Sequence, residues 1–175
     1  MINIHDIDGI AILYEEMIIT SFNFLESELN MHRGKVRISN RNDLRDITVS
    51  VRFESVSHRL DITWGIYQNG IGILIYNKSC LEKSTIHNKN CFVYFEPFVE
   101  FLTNGKEKPI IPQIYPKMST GRIIKVMDAR KKIFETSLAL IIERLAKKFR
   151  MNYEIIFSKD IVSFTEFSKW FAEHQ

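Results

Sequence analysis

Between Ile47 and Asn77 the chain alternates apolar and polar residues three times over. Strands with one buried face are the simplest structures that satisfy such a pattern. In "ITVSVRFE", Ile47, Val49, Val51 and Phe53 share one face, and Thr48, Ser50, Arg52 and Glu54 the other. In "RLDITWGIYQ" and "GIGILIYN", Ile62, Trp64 and Ile66 alternate up one arm, and Ile71, Ile73 and Ile75 down the next. Asn69-Gly70 accepts the positive φ angles of a type I′ turn and predicts a two-residue hairpin joining them. "CFVYF" at 91–95 supplies a fourth strand. The second face of this sheet carries Thr63, Gly65, Tyr67, Gly72, Leu74 and Tyr76, then Phe92 and Tyr94. So many large apolar groups require a covering helix, or failing that a partner.

Helical periodicity brackets the strands. Ile7, Ile10, Tyr14, Ile18, Phe22, Leu25 and Leu29 recur at intervals of three and four, a single stripe on one long helix ended near Asn30. Val36 and Ile38 then suggest a short strand. "EPFVEFLTNG" reads as a short helix with Pro97 near its start and Asn104-Gly105 at its end. "KPIIPQIYP", holding Pro109, Pro112 and Pro116, reads as a rigid extended connection rather than a docking ligand. Ser119 or Thr120 caps a helix expected to run to about Arg150, with Leu138, Ile141 and Leu145 buried and Lys131, Lys147 and Lys148 in solvent. "YEIIF" at 153–157 alternates like a last strand, and Ser163 with Glu166 has capping-box spacing before a final helix. The order predicts an α+β fold: an antiparallel sheet of four to six strands flanked by long N-terminal and C-terminal helices, in one domain over 1–175.

Composition narrows the functional classes. The start, "MINIHDIDGIAILYEEM", has acids where a secretory signal has Lys or Arg, and no tract approaches the roughly 18 apolar residues of a membrane span. Two cysteines, Cys80 and Cys91, are too few for a disulfide scaffold, so a reducing cytoplasm is the default. With His87 they lack the tight pairing and fourth ligand that zinc wants, and no metal or cofactor is expected. The overall charge of +3 conceals an asymmetry. Residues 1–32 hold six acids and no Lys or Arg, a balance of −6. Residues 121–150 hold nine basic residues and three acids, a balance of +6.

No G-x-S-x-G, P-loop, G-x-G-x-x-G or H-E-x-x-H sequence is present, and a non-enzymatic role is expected. Glu96 and Glu100 share a helix face and read as a solvated edge. His58 with Asp61, beside Arg52 and Arg59, has the ingredients of a nuclease site, but residues three apart in a strand point to opposite faces. The basic residues of 122–150, including Lys125, Arg130, Lys131, Lys132, Arg144, Lys147, Lys148 and Arg150, offer an alternative: a nucleic-acid-binding regulator that neutralises phosphates.

The length, the hairpin "RLDITWGIYQNGIGILIYN" followed by "FVYFEPFVEF", and the missing catalytic set resemble the immunity proteins encoded beside bacterial toxins, including those of contact-dependent growth-inhibition systems. Such a resemblance implies a protein that binds a cognate toxin domain and occludes its active or substrate-binding surface. The acidic first segment, with Glu15, Glu16, Glu26 and Glu28, would then be the partner-binding surface that steers a basic toxin into contact.

Overall fold

The computed structural model describes residues 7–39, 47–65, 70–83, 91–159 and 161–173. The chain begins with α1 (Ile7–Phe22) and a single turn, α2 (Phe24–Ser27). Strands β1 (His32–Arg33), β2 (Arg37–Ser39), β3 (Thr48–Glu54), β4 (His58–Gly65) and β5 (Gly70–Asn77) follow. Next come α3 (Lys78–Lys83), β6 (Phe92–Tyr94), α4 (Phe95–Leu102), α5 (Thr120–Thr136), α6 (Leu138–Phe157) and α7 (Ile161–Glu173). The fold is α+β, with one antiparallel sheet between N-terminal and C-terminal helices. Among the described residues no helix is long and apolar enough to cross a membrane.

The sheet runs β1-β3-β4-β5-β6, and β2 also pairs with β3, so that β1 and β2 form one interrupted edge. Its inner face is the alternation read from the sequence. Val49, Val51, Phe53, Leu60, Ile62, Trp64, Ile71, Ile73, Ile75 and Val93 are all buried. α1 and α6 close over that face: Tyr14 packs 5.5 Å from Trp64, and Phe149 of α6 meets Phe22, Phe24 and Phe95.

Several boundaries differ from expectation, each for a local reason. Gly70 is a strand residue paired with Gly65, and Ile71 pairs with Trp64, so Asn69-Gly70 does not form a two-residue turn. Asn69 itself lies outside the described residues. The first helix breaks at Asn23, although Phe22 and Leu25 both stay in the core. Asn30 takes a φ of 50°, which ends the segment where expected. Asn104 does the same after α4, with Gly105 N–H donating to Glu100 O and Asn104 N–H to Phe101 O, the paired bonds of a Schellman ending.

The long basic helix is two helices. Ser119 caps α5 through Arg122 N–H, as expected, but Ser137 turns extended and caps α6 through Leu140 N–H. "YEIIF" is helical, the end of α6. Its alternation is too short to separate the two periods: Tyr153, Ile156 and Phe157 also fit a helical stripe, and they pack on the core. Ser163 lies inside α7, which starts at Ile161, and therefore is not its cap. α7 lays Phe167, Trp170 and Phe171 against Phe98, Phe101 and Tyr115.

Cys80 and Cys91 form a disulfide, with Cα atoms 5.4 Å apart and both residues buried. A disulfide leaves no thiolate for zinc, and His87 lies outside the described residues. Asn77 caps the short α3 by accepting Cys80 N–H at 3.3 Å, which brings Cys80 to the β6 side of the sheet. Closing a loop of this length stabilises by about 3 kcal/mol in the chain-entropy model. Reduction should therefore lower the urea midpoint, and Cys80→Ser should behave like the reduced protein; an unchanged midpoint in both would refute this. In α6, Ile141 is 4% exposed, so Ile141→Ala should cost about 2–5 kcal/mol by equilibrium unfolding.

Candidate functional site

The sequence of α1, "IDGIAILYEEMIITSF", is apolar almost all round, which suits a helix buried on every side. Only one side is buried. Ile10, Tyr14, Ile18 and Phe22 enter the core, while Ile12 is 55% and Leu13 61% exposed. Leu13, Glu16, Met17 and Thr20 recur at helical spacing and form one wall of an open groove of about 880 Å³. The other wall is the start of α6, with Ser137, Ala139, Leu140 and Glu143. Ser137 makes this wall possible, because its break and cap set the direction of α6. The groove is an apolar floor rimmed by two carboxylates, Glu16 and Glu143, neither in an ion pair among the described residues.

The four candidate acids stand in different settings. Glu16 lines the groove and Glu15, half-buried, precedes it on the same helix. Glu26 and Glu28 are exposed, but Glu28 accepts from Arg150, and Glu26 lies 4.0 Å from Arg33. Leu13, Met17 and Leu140 were not expected at a site. For Leu13 and Met17 the signal was present in apolar positions off the core stripe of α1, which only an exposed or partnered face explains.

The basic residues are also divided. Arg122, Lys125, Lys131 and Lys132 are exposed on α5, a helix with no buried side chain among those described. Lys147 is exposed on α6, but Lys148 is not in solvent: its side chain is 11% exposed and sits 3.7 Å from Glu96. The half-buried Arg130 donates through Nε to Pro112 O at 2.7 Å.

Glu96 and Glu100 are buried, contrary to the solvated edge expected. Glu96 accepts Ile110 N–H at 2.5 Å, Ile111 N–H at 3.1 Å and the Gln113 amide at 3.3 Å. Glu100 accepts Lys108 Nζ at 2.8 Å and the Tyr115 hydroxyl at 2.6 Å. The two carboxylates, one helical turn apart on α4, fasten the proline-bearing segment 108–116 across the helix. Prolines cannot donate backbone hydrogen bonds, so the amides of Ile110 and Ile111 and the side chains of Lys108, Gln113 and Tyr115 carry this attachment.

On the outer sheet face, Arg52 grips Asp61 with Nε at 2.7 Å and Nη2 at 3.1 Å, and Arg59 Nη2 adds a third bond at 3.0 Å. Arg59 stacks 3.9 Å over Tyr76. His58 points to the other face, 4.5 Å from the Phe157 ring, sharing a 2.9 Å hydrogen bond between Nδ1 and Ser57 Oγ. Burial lowers its pKa, and among the described residues Nε2 has no hydrogen-bond partner. The nuclease ingredients are thus split between two faces. At the aromatic end, Phe171 of α7 reaches Tyr94 at 5.9 Å, while Leu74, Tyr76 and Phe92 remain half-buried. Among the described residues no cluster of three or more His, Cys, Asp or Glu is placed to hold a metal.

No protein-family model, curated protein or solved structure matches the chain.

Burial raises the Glu96 carboxyl above its ordinary 4.5, while the two backbone amides and Lys148 pull it down less strongly. The folded chain then holds this proton more tightly than the unfolded one. Its contribution to stability is fully present below 4.5 and is lost as pH rises through the folded value. Urea midpoints measured upward from that pH should fall more steeply for the native protein than for Glu96→Gln, which cannot titrate. Equal slopes would show that Glu96 is ionised in both states.

Proposed function

We propose that this chain is an immunity-type binding protein that neutralises a toxin domain by covering its active or substrate-binding surface. The observation that carries this reading is the α1–α6 groove, where Leu13, Met17 and Leu140 are accessible beside the carboxylates of Glu16 and Glu143, which form no ion pair among the described residues. Apolar anchors supply affinity once water is excluded from around them, and a rim of one charge selects the partner and speeds the encounter. The occupant fitted by this chemistry is a protein surface with an apolar projection flanked by Lys or Arg. The resemblance of the hairpin and α4 sequences to toxin-immunity proteins gives that partner its class.

The original four-acid surface is narrowed by the ion pairs. Glu16 lines the groove and Glu15 precedes it on α1, whereas Glu26 and Glu28 already face Arg33 and Arg150. A cytoplasmic location belongs to the same reading, and the Cys80–Cys91 disulfide weighs against it, since such bonds are uncommon in reducing compartments. Alkylation of the thiols in freshly lysed cells decides between the two.

The test is co-purification with the product of the adjacent gene, followed by a growth-protection assay. Charge reversal at Glu16 and Glu143 should slow association by about tenfold or more at low salt, with the effect shrinking as salt is added. Reversal at Glu26 and Glu28 should do much less. If no neighbouring toxin exists and pure protein retains nucleic acid that Lys131→Glu and Lys147→Glu release, the nucleic-acid-binding reading replaces this one.

A further inference from the structure

A second concavity, of about 500 Å³, lies where β6, the 113–116 segment, α5 and α7 meet. It shares no residue with the α1–α6 groove. Its walls include Tyr94, Ile123 and Phe171, and its cation is Arg130. We propose that this pocket binds a small aromatic monocarboxylate, with the Arg130 guanidinium holding the carboxylate and the ring lying among Tyr94, Ile123 and Phe171.

Most of the hydrogen-bond capacity of Arg130 is unused among the described residues. A guanidinium has five N–H donors, and only Nε is engaged, by Pro112 O at 2.7 Å. Among the described residues, no carboxylate lies within ion-pair distance of it, and neither Nη1 nor Nη2 has a hydrogen-bond partner. Burial lowers its pKa, the direction expected for a cation without a counterion. Glu96 acts on it only from farther away. The oxygens of Glu96 are taken by Ile110, Ile111 and Gln113, and its charge is offset by Lys148 at 3.7 Å.

A half-buried guanidinium with two idle terminal nitrogens presents the fork that a carboxylate fills bidentately. The Pro112 contact fixes the plane of that fork in advance, which lowers the ordering cost of binding. One cation at the pocket suits a monoanion better than a phosphate dianion. The remaining groups favour an aromatic body. Tyr94 is 41% exposed, and its ring lies 5.9 Å from Phe171, so a planar ligand meets two rings and the Ile123 side chain. Tyr115 and Gln113, also at the pocket, spend their donors on Glu100 and on Glu96 and Ile111 O, leaving Arg130 to bind the anion.

The probe is benzoate, titrated into the full chain and followed by amide NMR shifts, with benzamide and phenyl phosphate as controls. Saturable shifts at residues 113–116 and 130 with benzoate, and weaker binding of the other two, are the expected result. Arg130→Gln should weaken benzoate at least about tenfold, the loss of one charge-assisted pair. Tyr94→Ala, at an exposed position, should weaken it several-fold while leaving the fork intact, and it keeps the test decisive if Arg130→Gln fails to fold. Benzamide binding as well as benzoate, unchanged affinity in a folded variant, or no saturable shift would overturn the proposal. None of these outcomes bears on the α1–α6 groove.

Discussion

The carboxylate of Glu96, buried under the segment it binds, is the interaction on which the C-terminal half of the molecule depends. An ionised carboxylate removed from water costs several kcal/mol unless donors replace its hydration. Here two backbone amides, a side-chain amide and Lys148 offset part of that cost, and burial still raises the carboxyl's pKa. The consequences spread outward. With 108–116 fixed, Pro112 O is placed to receive Arg130, which ties α5 to the body of the protein. Lys108 O receives Lys148 at 2.7 Å, which ties α6 to the same segment. α5, with no fully buried side chain among those described, is held by the Arg130 attachment together with Ile133 and Phe134, which pack partly buried against the core.

The charge asymmetry of the sequence is partly consumed inside the fold. The acidic N-terminal segment and the basic α6 meet at Glu28 and Arg150, and Lys148 turns inward to Glu96. Surface pairs like the first contribute little stability, but they remove charge from what a partner feels. What remains outside is smaller and more local: carboxylates at the α1–α6 groove, and cations on α5. A count of charges along a chain therefore overstates the field, because it cannot see which charges have found each other.

The sheet was legible from the sequence because period-two alternation in β3, β4 and β5 has no helical equivalent over seven or eight residues. Five residues at 153–157 were too few, and a strand was expected where α6 continues. Ser137 was invisible for the opposite reason. The apolar stripe carries on through it, so nothing in periodicity marks a break that depends on one extended residue and its hydroxyl. Glu96 and Glu100 read as surface because carboxylates usually are, and their donors lie well along the chain: backbone groups 14 and 15 positions from Glu96, and side chains 8 and 15 positions from Glu100. The groove on α1 was half legible: the acids Glu15 and Glu16 stood out, while Leu13 and Met17 were lost in a helix that is apolar almost everywhere.

The Cys80–Cys91 bond gives the molecule a covalent ring within its chain. A protease that cuts once between those residues would open the ring and leave the polypeptide connected. The product would gain the mass of one water, migrate as a single species without reductant, and separate into two fragments with it. The strands on either side, β5 and β6, would still be held in register at Leu74–Tyr94, Ile75–Val93 and Tyr76–Phe92. Sequence variation in that interval, including insertions, is therefore decoupled from the pairing of the strands it joins.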